Sequence, residues 1–294
     1  MLSKNENNIK DFWQENPCGE NLTGKLDNLA EHFKNYDKFR YATEGHILKE
    51  LDQIEFKDKK VLEIGIGQAA DSAQIAKRGA EWNGLDLTEA AINRAKLRFE
   101  IENLSFGDAR QGTANNIPWP NDTFDVVYSH GVLHHIPDIE KATTEIQRVL
   151  KPNGWLVIML YHKNSLNYYL SILLIRRLLF VPLYVFSKLG FRNFIKSDVL
   201  NGHIQNAEKL GFFNYLKADN FIHTNTDGPD NPFSKVYDLD KVKQEFSLFE
   251  LKKNCIHFLN LRHLPLFSLL PDRWLHRMEA RYGWHLWVFF TNSK

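Results

Sequence analysis

The run Lys60-Val61-Leu62-Glu63-Ile64-Gly65-Ile66-Gly67-Gln68-Ala69-Ala70-Asp71 decides how the rest of this chain is read. Val61, Leu62, Ile64 and Ile66, with lysines before them and small residues after, predict a short buried strand that runs into a glycine turn and then a helix. A strand broken at Gly65-x-Gly67 ahead of a helix makes a nucleotide-binding turn. Glycine tolerates a left-handed backbone and leaves room where a Cβ would collide, while the free N–H groups at the helix start face the ligand.

Two ligand classes fit such a turn. Gly65-x-Gly67-x-x-Ala70 matches the dinucleotide fingerprint, and Asp86 lies near the spacing of its ribose-binding carboxylate. Glu63 speaks against that match, because a carboxylate two residues before the first glycine repels a pyrophosphate. It suits a ligand that is cationic there, such as the amino group of S-adenosylmethionine.

From Lys60 to Tyr161 the chain resembles the class I S-adenosylmethionine-dependent methyltransferases of the broad small-molecule type, related to the quinone-pathway methyltransferases. The blocks that carry the resemblance follow in order: Val61–Gly67, Gly84-Leu85-Asp86-Leu87, Gly107-Asp108-Ala109, Ile117-Pro118-Trp119-Pro120 with Phe124–Ser129, Gly131–Pro137, and Arg148-Val149-Leu150-Lys151-Pro152-Asn153-Gly154. Ala69 stands where that family usually carries a third glycine, which bears on how closely the helix approaches the ligand. The resemblance implies an α/β fold, a doubly wound, seven-stranded, mostly parallel Rossmann-like sheet with helices on both faces. It implies S-adenosyl-L-methionine as cofactor, with contacts from Glu63, Gly65, Ile66, Gly67, Asp71, Asp86, Leu87, Asp108, Ala109 and His130. Asp86 would accept from the ribose hydroxyls and Asp108 from the adenine amino group, with Ala109 N–H donating to the ring. A plain helix start after Asp86 and a plain turn at Asp108 remain the alternatives.

Beyond the strand Phe124–Ser129 come His130, His134 and His135, three within six residues where parallel sheets bind ligands. Histidine is the side chain that takes a proton near neutrality. The resemblance makes His135 site-facing and puts His134 where relatives carry a carboxylate. Tyr161 and His162, past the strand Trp155–Leu160, are the other catalytic candidates; helix capping and a solvated loop are the other readings of these positions. No metal-ligand spacing stands out, so no metal is expected, although His134 and His135 could ligate one.

The expected organisation is a helical lid segment over 1–57, the cofactor-binding core over 58–163, an acceptor-side insertion over 164–236 and a completion of the sheet over 237–294. Leu26, Leu29, Phe33, Tyr36 and Phe39 recur at helical spacing in the first part. The resemblance makes Phe12, Trp13 and Tyr41 lid candidates, and packing of this segment on the core sheet is the other reading. Leu104-Ser105-Phe106 reads as the third strand. Leu166–Leu189 is strongly apolar, but Arg176-Arg177 and the helix breaker Pro182 argue against a membrane span. It is expected to cap an apolar acceptor pocket, with docking on a membrane surface through Arg176, Arg177, Lys188, Arg192 and Lys196 as the other reading. His223–Pro232 reads as a loop carrying His223 and Asp227. Strands Phe249–His257 and Trp284–Thr291 complete the sheet, the last one antiparallel.

At 294 residues, 43% apolar and 25% charged, the chain has ordinary globular composition. Its net charge of +1 gives no overall drive toward nucleic acid or an anionic membrane. Cys18 and Cys255 lie too far apart in sequence to suggest a disulfide framework or a cysteine metal site. The first residues lack an apolar signal core, and a cytoplasmic enzyme is expected. The expected partner is a small, apolar or amphipathic acceptor; the methylated atom (O, N or C) and the oligomeric state stay open. The rivals are an NAD(P)-dependent oxidoreductase and a non-catalytic module that binds S-adenosylmethionine or a membrane surface.

Overall fold

A computed structural model describes residues 2–16, 28–259 and 270–294. The break at Pro17-Cys18-Gly19 and Leu26 lie outside them. The described chain separates into two compact units. The first comprises Met1–Leu160, Leu239–Cys255 and Trp287–Lys294; the second comprises Tyr161–Asp238 and Ile256–Leu286. The sequence expected a core of 58–163 with 237–294 completing it; in the structure the segment before the last strand clusters with the insertion.

The first unit is built on strands β1 (Lys60–Ile64), β2 (Glu81–Asp86), β3 (Ala109–Gln111), β4 (Phe124–His130), β5 (Leu150–Tyr161), β6 (Phe249–His257) and β7 (His285–Asn292). They form one seven-stranded sheet in the order β3-β2-β1-β4-β5-β7-β6. The pairs β1·β2, β1·β4, β2·β3 and β4·β5 are parallel, and the order turns back at β1, the switch point where such sheets bind ligands. Helices α4 (Ala70–Lys77), α5 (Glu89–Ile101) and α6 (Ile139–Val149) supply the crossovers. Thr88 caps α5 as its side chain predicts, its hydroxyl accepting from Ala91 N–H. One continuous core joins Val61, Ile75, Trp82, Phe99, Tyr128 and Trp287.

The third strand starts later than its apolar residues suggested. Leu104-Ser105-Phe106 is not a strand; Phe106 packs edge-on against Trp82 and Phe99, and the ladder begins only where Ala109 meets Gly84. β5 starts earlier than Trp155: Leu150 pairs with Phe124, the 151–154 turn bulges out with Asn153 at φ +60°, and pairing resumes at Trp155.

Ahead of the sheet, α1 (Lys4–Glu15), α2 (Leu29–Thr43) and α3 (His46–Leu51) precede β1. Ser3 and Glu6 form a capping box on α1. Glu6 also accepts from Thr113 (2.6 Å) and Asn115 (3.1 Å), tying α1 to the segment after β3. On α2 only Phe33 and Tyr36 of the expected stripe are buried; Leu29 and Phe39 are exposed.

In the second unit a helical run, α7, continues over Asn167–Phe194. The expected break at Pro182 is absent: proline removes one backbone bond, and the helix carries on past it with π-turns at Asn167–Arg176 and Ser187–Phe191 around an α-helical centre, until Gly190 (φ +94°) puts a kink in the last stretch. α8 (Asp198–Leu210), α9 (Phe212–Tyr215) and α10 (Ala218–Thr226) follow. His223 therefore sits on a helix, and the loop begins only at Asp227. Burial of Phe221 and Ile222 in the unit's core, with Tyr168, Ile172, Phe180 and Ile204, outweighs the turn-forming composition. α11 (Leu239–Glu245) and α12 (Asp272–Tyr282) complete the described helices.

Candidate active site

Between β1 and α4 the backbone takes left-handed conformations at Gly65 (φ +82°), Gly67 (φ +56°) and Ala69 (φ +58°). The two glycines are needed for different reasons. A Cβ on Gly65 would stand 2.1 Å from Val132 Cγ2, so that glycine lets the segment after β4 close on the turn. A Cβ on Gly67 would meet nothing within 4 Å, so that glycine leaves an open approach to the backbone. Ala69 adopts the conformation of the missing third glycine while wholly buried.

Asp86, at the carboxyl end of β2, closes this turn. Its Oδ2 accepts from Ile66 N–H at 2.8 Å and Gly67 N–H at 3.5 Å, and its Oδ1 accepts from the N–H and hydroxyl of Thr88, both at 2.8 Å. Leu87 next to it receives Gln111 on its carbonyl. Beyond β2, Asp108 Oδ1 accepts from Ala109 N–H (2.8 Å) and Oδ2 from Arg110 Nε (2.6 Å), with the carboxylate half exposed. Arg110 stacks over Trp119.

Glu63 has internal partners. It is fully buried, and its Oε2 accepts from Ser72 Oγ at 2.5 Å and Trp82 Nε1 at 2.7 Å. Burial, with the nearby Asp71 charge, pushes its pKa up to about 8. The carboxyl read from sequence as a fixed negative charge is thus mostly protonated at neutral pH, and its charge does not carry the choice between cofactors.

Asp71, in the first turn of α4, is the buried charge of the site. Arg40 from α2 grips it through Nε (3.1 Å) and Nη2 (2.7 Å), and the hydroxyls of Tyr41 (3.1 Å) and Tyr128 (3.0 Å) donate to it. Burial alone would raise its pKa; Arg40, His130 and these hydrogen bonds hold it at about 2. Arg40 Nη2 also lies 3.3 Å from His130 Nδ1. Burial and the adjacent guanidinium press His130 down to about 3, so its ring is neutral.

After β4, Gly131 (φ +76°) turns the chain into a 3₁₀ turn, Leu133–His135, that buries both histidines with their rings 4.4 Å apart. Trp13 of α1 meets His135 edge-on at 5.3 Å. Burial and the neighbouring His135 drive the pKa of His134 well down, leaving it neutral.

The first unit thus gathers the turn residues, Asp71, Asp86, Asp108, Ala109 and the three histidines. Tyr161 and His162 belong to the second unit. There Tyr161 stacks on Trp284 and donates to Asp227 (2.9 Å), and His162 Nδ1 donates to Gly283 O (2.9 Å). His223 Nδ1 accepts from Ser234 N–H at 3.0 Å. Sequence reasoning missed Arg40. The available signal was its place on the inward stripe Phe33–Tyr36–Arg40, where an arginine needs a buried anion.

Residues 62–158 match the family model described as a methyltransferase domain. These residues form a class I S-adenosylmethionine-dependent methyltransferase domain. Within it the chain is 35% identical over 105 residues to a fatty-acid O-methyltransferase of Mycolicibacterium smegmatis, covering 35% of this chain and 37% of that one. It is 36% identical over 116 residues to a sterol 24-C-methyltransferase of Gibberella zeae, covering 37% of this chain and 30% of that one. The match thus spans about a third of the length of these relatives. Over 80% of this chain the fold is similar to a methyltransferase of Methanosarcina mazei, covering 93% of it with a TM-score of 0.52 at 15% identity. The methyltransferase domain carries its glycine turn, Asp86 and its histidines at the carboxyl ends of its parallel strands.

Proposed function

We propose that the chain transfers a methyl group from S-adenosylmethionine to a small apolar or amphipathic acceptor. The observation that carries this reading is Gly67, a left-handed glycine with open space where its Cβ would be, beside a carboxylate at the end of the next strand. That combination suits a ribose and a backbone-hugging amino-acid tail. When bound, S-adenosylmethionine supplies an already activated sulfonium methyl.

The chain's own residues then bind, align and exclude water. Asp86 takes the ribose hydroxyls while it holds the turn. Asp108 and Ala109 N–H line the adenine side. Asp71, neutralised by Arg40, keeps α2 and α4 together around the turn. His135, beneath Trp13, accepts the proton of a hydroxyl acceptor, and α1 acts as a lid. The names of the relatives, which act on fatty acids and sterols, support a lipid-like acceptor.

The test is calorimetry with S-adenosylmethionine and with NAD(P)H, followed by a screen of fatty acids, sterols and phenols read by release of S-adenosylhomocysteine. Binding of S-adenosylmethionine and release with at least one lipid-like acceptor is the expected result. Binding of the nicotinamide nucleotide alone would replace this reading.

A further inference from the structure

We propose that the outer face of α7 docks the second unit onto a lipid bilayer bearing anionic headgroups. This does not rest on the methyl-transfer reading.

α7 is rich in large apolar residues on more than one side, yet only one stripe of it is packed. Tyr168, Ile172 and Phe180 enter the core of the second unit. Ten other large apolar residues of the same helix are exposed, among them Leu178 (64%), Leu179 (67%), Leu189 (69%) and Phe194 (73%). Of its most apolar stretch only 22% is buried. Phe213, 83% exposed, adds to the patch, since its neighbour Phe212 stacks on Tyr184 of α7 at 4.7 Å. A helix apolar on more than one side is stable when those sides are covered.

The charges choose the cover. From Lys163 to Ser197 there is no aspartate or glutamate, while α7 and the turn after it carry Arg176, Arg177, Lys188, Arg192 and Lys196. Lys188 and Arg192 share Glu208 (2.7 and 3.0 Å), which leaves this end net positive. A second copy pairing through the same face would set these cations against their like. An anionic surface attracts Lys188, Arg192 and Lys196 at the exposed end, at roughly 1 kcal/mol per residue near the headgroups. Phe186, Phe191 and Phe194 cluster at this same end, with ring centroids 4.8 and 6.1 Å apart, in the arrangement of interfacial anchors.

The helix lies on the bilayer and does not cross it. Arg176 Nη1 donates to Asn225 O, and the Arg177 guanidinium lies over the Phe221 ring at 5.2 Å. These contacts fix the middle of α7 to α10, where Thr224 and Asn225 are buried polar side chains. Pulling two arginines to the centre of a bilayer would cost about 2.5–3.5 kcal/mol each, whereas resting on the surface keeps every one of these bonds.

The experiment is flotation of the full chain with vesicles of phosphatidylcholine alone and of phosphatidylcholine with about 30% phosphatidylglycerol. The expected result is recovery with the anionic vesicles, reduced in high salt, and at least about tenfold weaker partitioning for Leu178→Glu with Leu189→Glu. A circular-dichroism melt confirms that this variant is folded. Lys188→Gln with Lys196→Gln, which leaves the apolar face alone, is expected to remove the preference for anionic vesicles, and it stands as the test if the first variant does not fold. The proposal is overturned by absence of the protein from both lipid fractions or by binding that ignores both pairs of substitutions. It is equally overturned by a dimer in sedimentation that the glutamates dissolve, which would make this face a contact between copies.

Discussion

Arg40 and Asp71 form a two-point ion pair that joins α2 to the first turn of the helix after the glycine turn, with the arginine 16% and the aspartate 5% exposed. The pair ties the N-terminal segment to the glycine-turn end of the sheet. A second buried cation, Arg98 of α5, bonds Asp37 one turn earlier on α2, so the helix is held at two points.

Removing one partner of such a buried pair leaves the other charge without its counterion. Arg40→Met is therefore expected to destabilise the first unit by about 3 kcal/mol, read as a fall in the urea midpoint. Asp71 also sets an acid limit. Its folded pKa of about 2 lies below the unfolded value of about 3.9, so its contribution is complete above pH 4 and drains away as pH falls toward 2. An unchanged midpoint in the variant would mean that the pair adds nothing to stability.

Glu63 predicts the opposite slope. Its pKa is about 8 in the folded chain and about 4.3 when unfolded, so the stability it lends is present below pH 4 and is lost as pH rises to 8. Glu63→Gln keeps the shape and an acceptor for Trp82 and removes the titration. Between pH 5 and 8.5 the parent is expected to lose on the order of a few kcal/mol more than the variant, by urea unfolding at several pH values. The variant is also expected to bind S-adenosylmethionine within a few-fold of the parent. A loss of affinity of a hundredfold or more would restore a charged Glu63 as a ligand of the amino group.

The two glycines separate folding from binding. Gly65→Ala drives a methyl into Val132 in a left-handed backbone and should cost about 2–4 kcal/mol. Gly67→Val places a Cβ that meets no atom of the protein within 4 Å, so its stability cost is expected to come chiefly from backbone strain of about 1–2 kcal/mol. Its side chain fills the open approach, and calorimetry should show at least about tenfold weaker binding of S-adenosylmethionine. Wild-type affinity in Gly67→Val would move the cofactor away from this turn.

How much of this was legible follows from what each feature depends on. The first strand, its turn, Asp86 ending β2 and the cap at Thr88 are local events, set by apolar runs, glycine and a hydroxyl, and the sequence carries them directly. The third strand was misplaced because Leu104 and Phe106 look like strand residues, while the packing of Phe106 on Trp82 is tertiary. α10 and the continuation of α7 through Pro182 depend on partners far along the chain, which outweigh turn composition at residues 223–226 and the proline at 182. In the candidate site, the sequence placed Asp86 and the histidines at strand ends, and the structure has them at the end of β2 and at or just past the end of β4. The neutralisation of Asp71 by Arg40 and the protonation of Glu63 are products of burial, which a linear pattern does not record.

His135 and Trp13 supply the last test, because the contact between them links chemistry to the N-terminal helix. If His135 removes a proton from a hydroxyl acceptor, His135→Ala should lower kcat about a hundredfold, with S-adenosylmethionine affinity within twofold of the parent. Trp13→Ala keeps the histidine and removes the ring above it, so it should raise KM for the acceptor and speed proteolysis within α1, with a smaller loss in kcat. A carboxylate acceptor needs no base. With such a substrate His135→Ala should leave kcat nearly unchanged while Trp13→Ala keeps its effect on KM. Equal losses in kcat for both substrate classes would assign His135 to positioning alone.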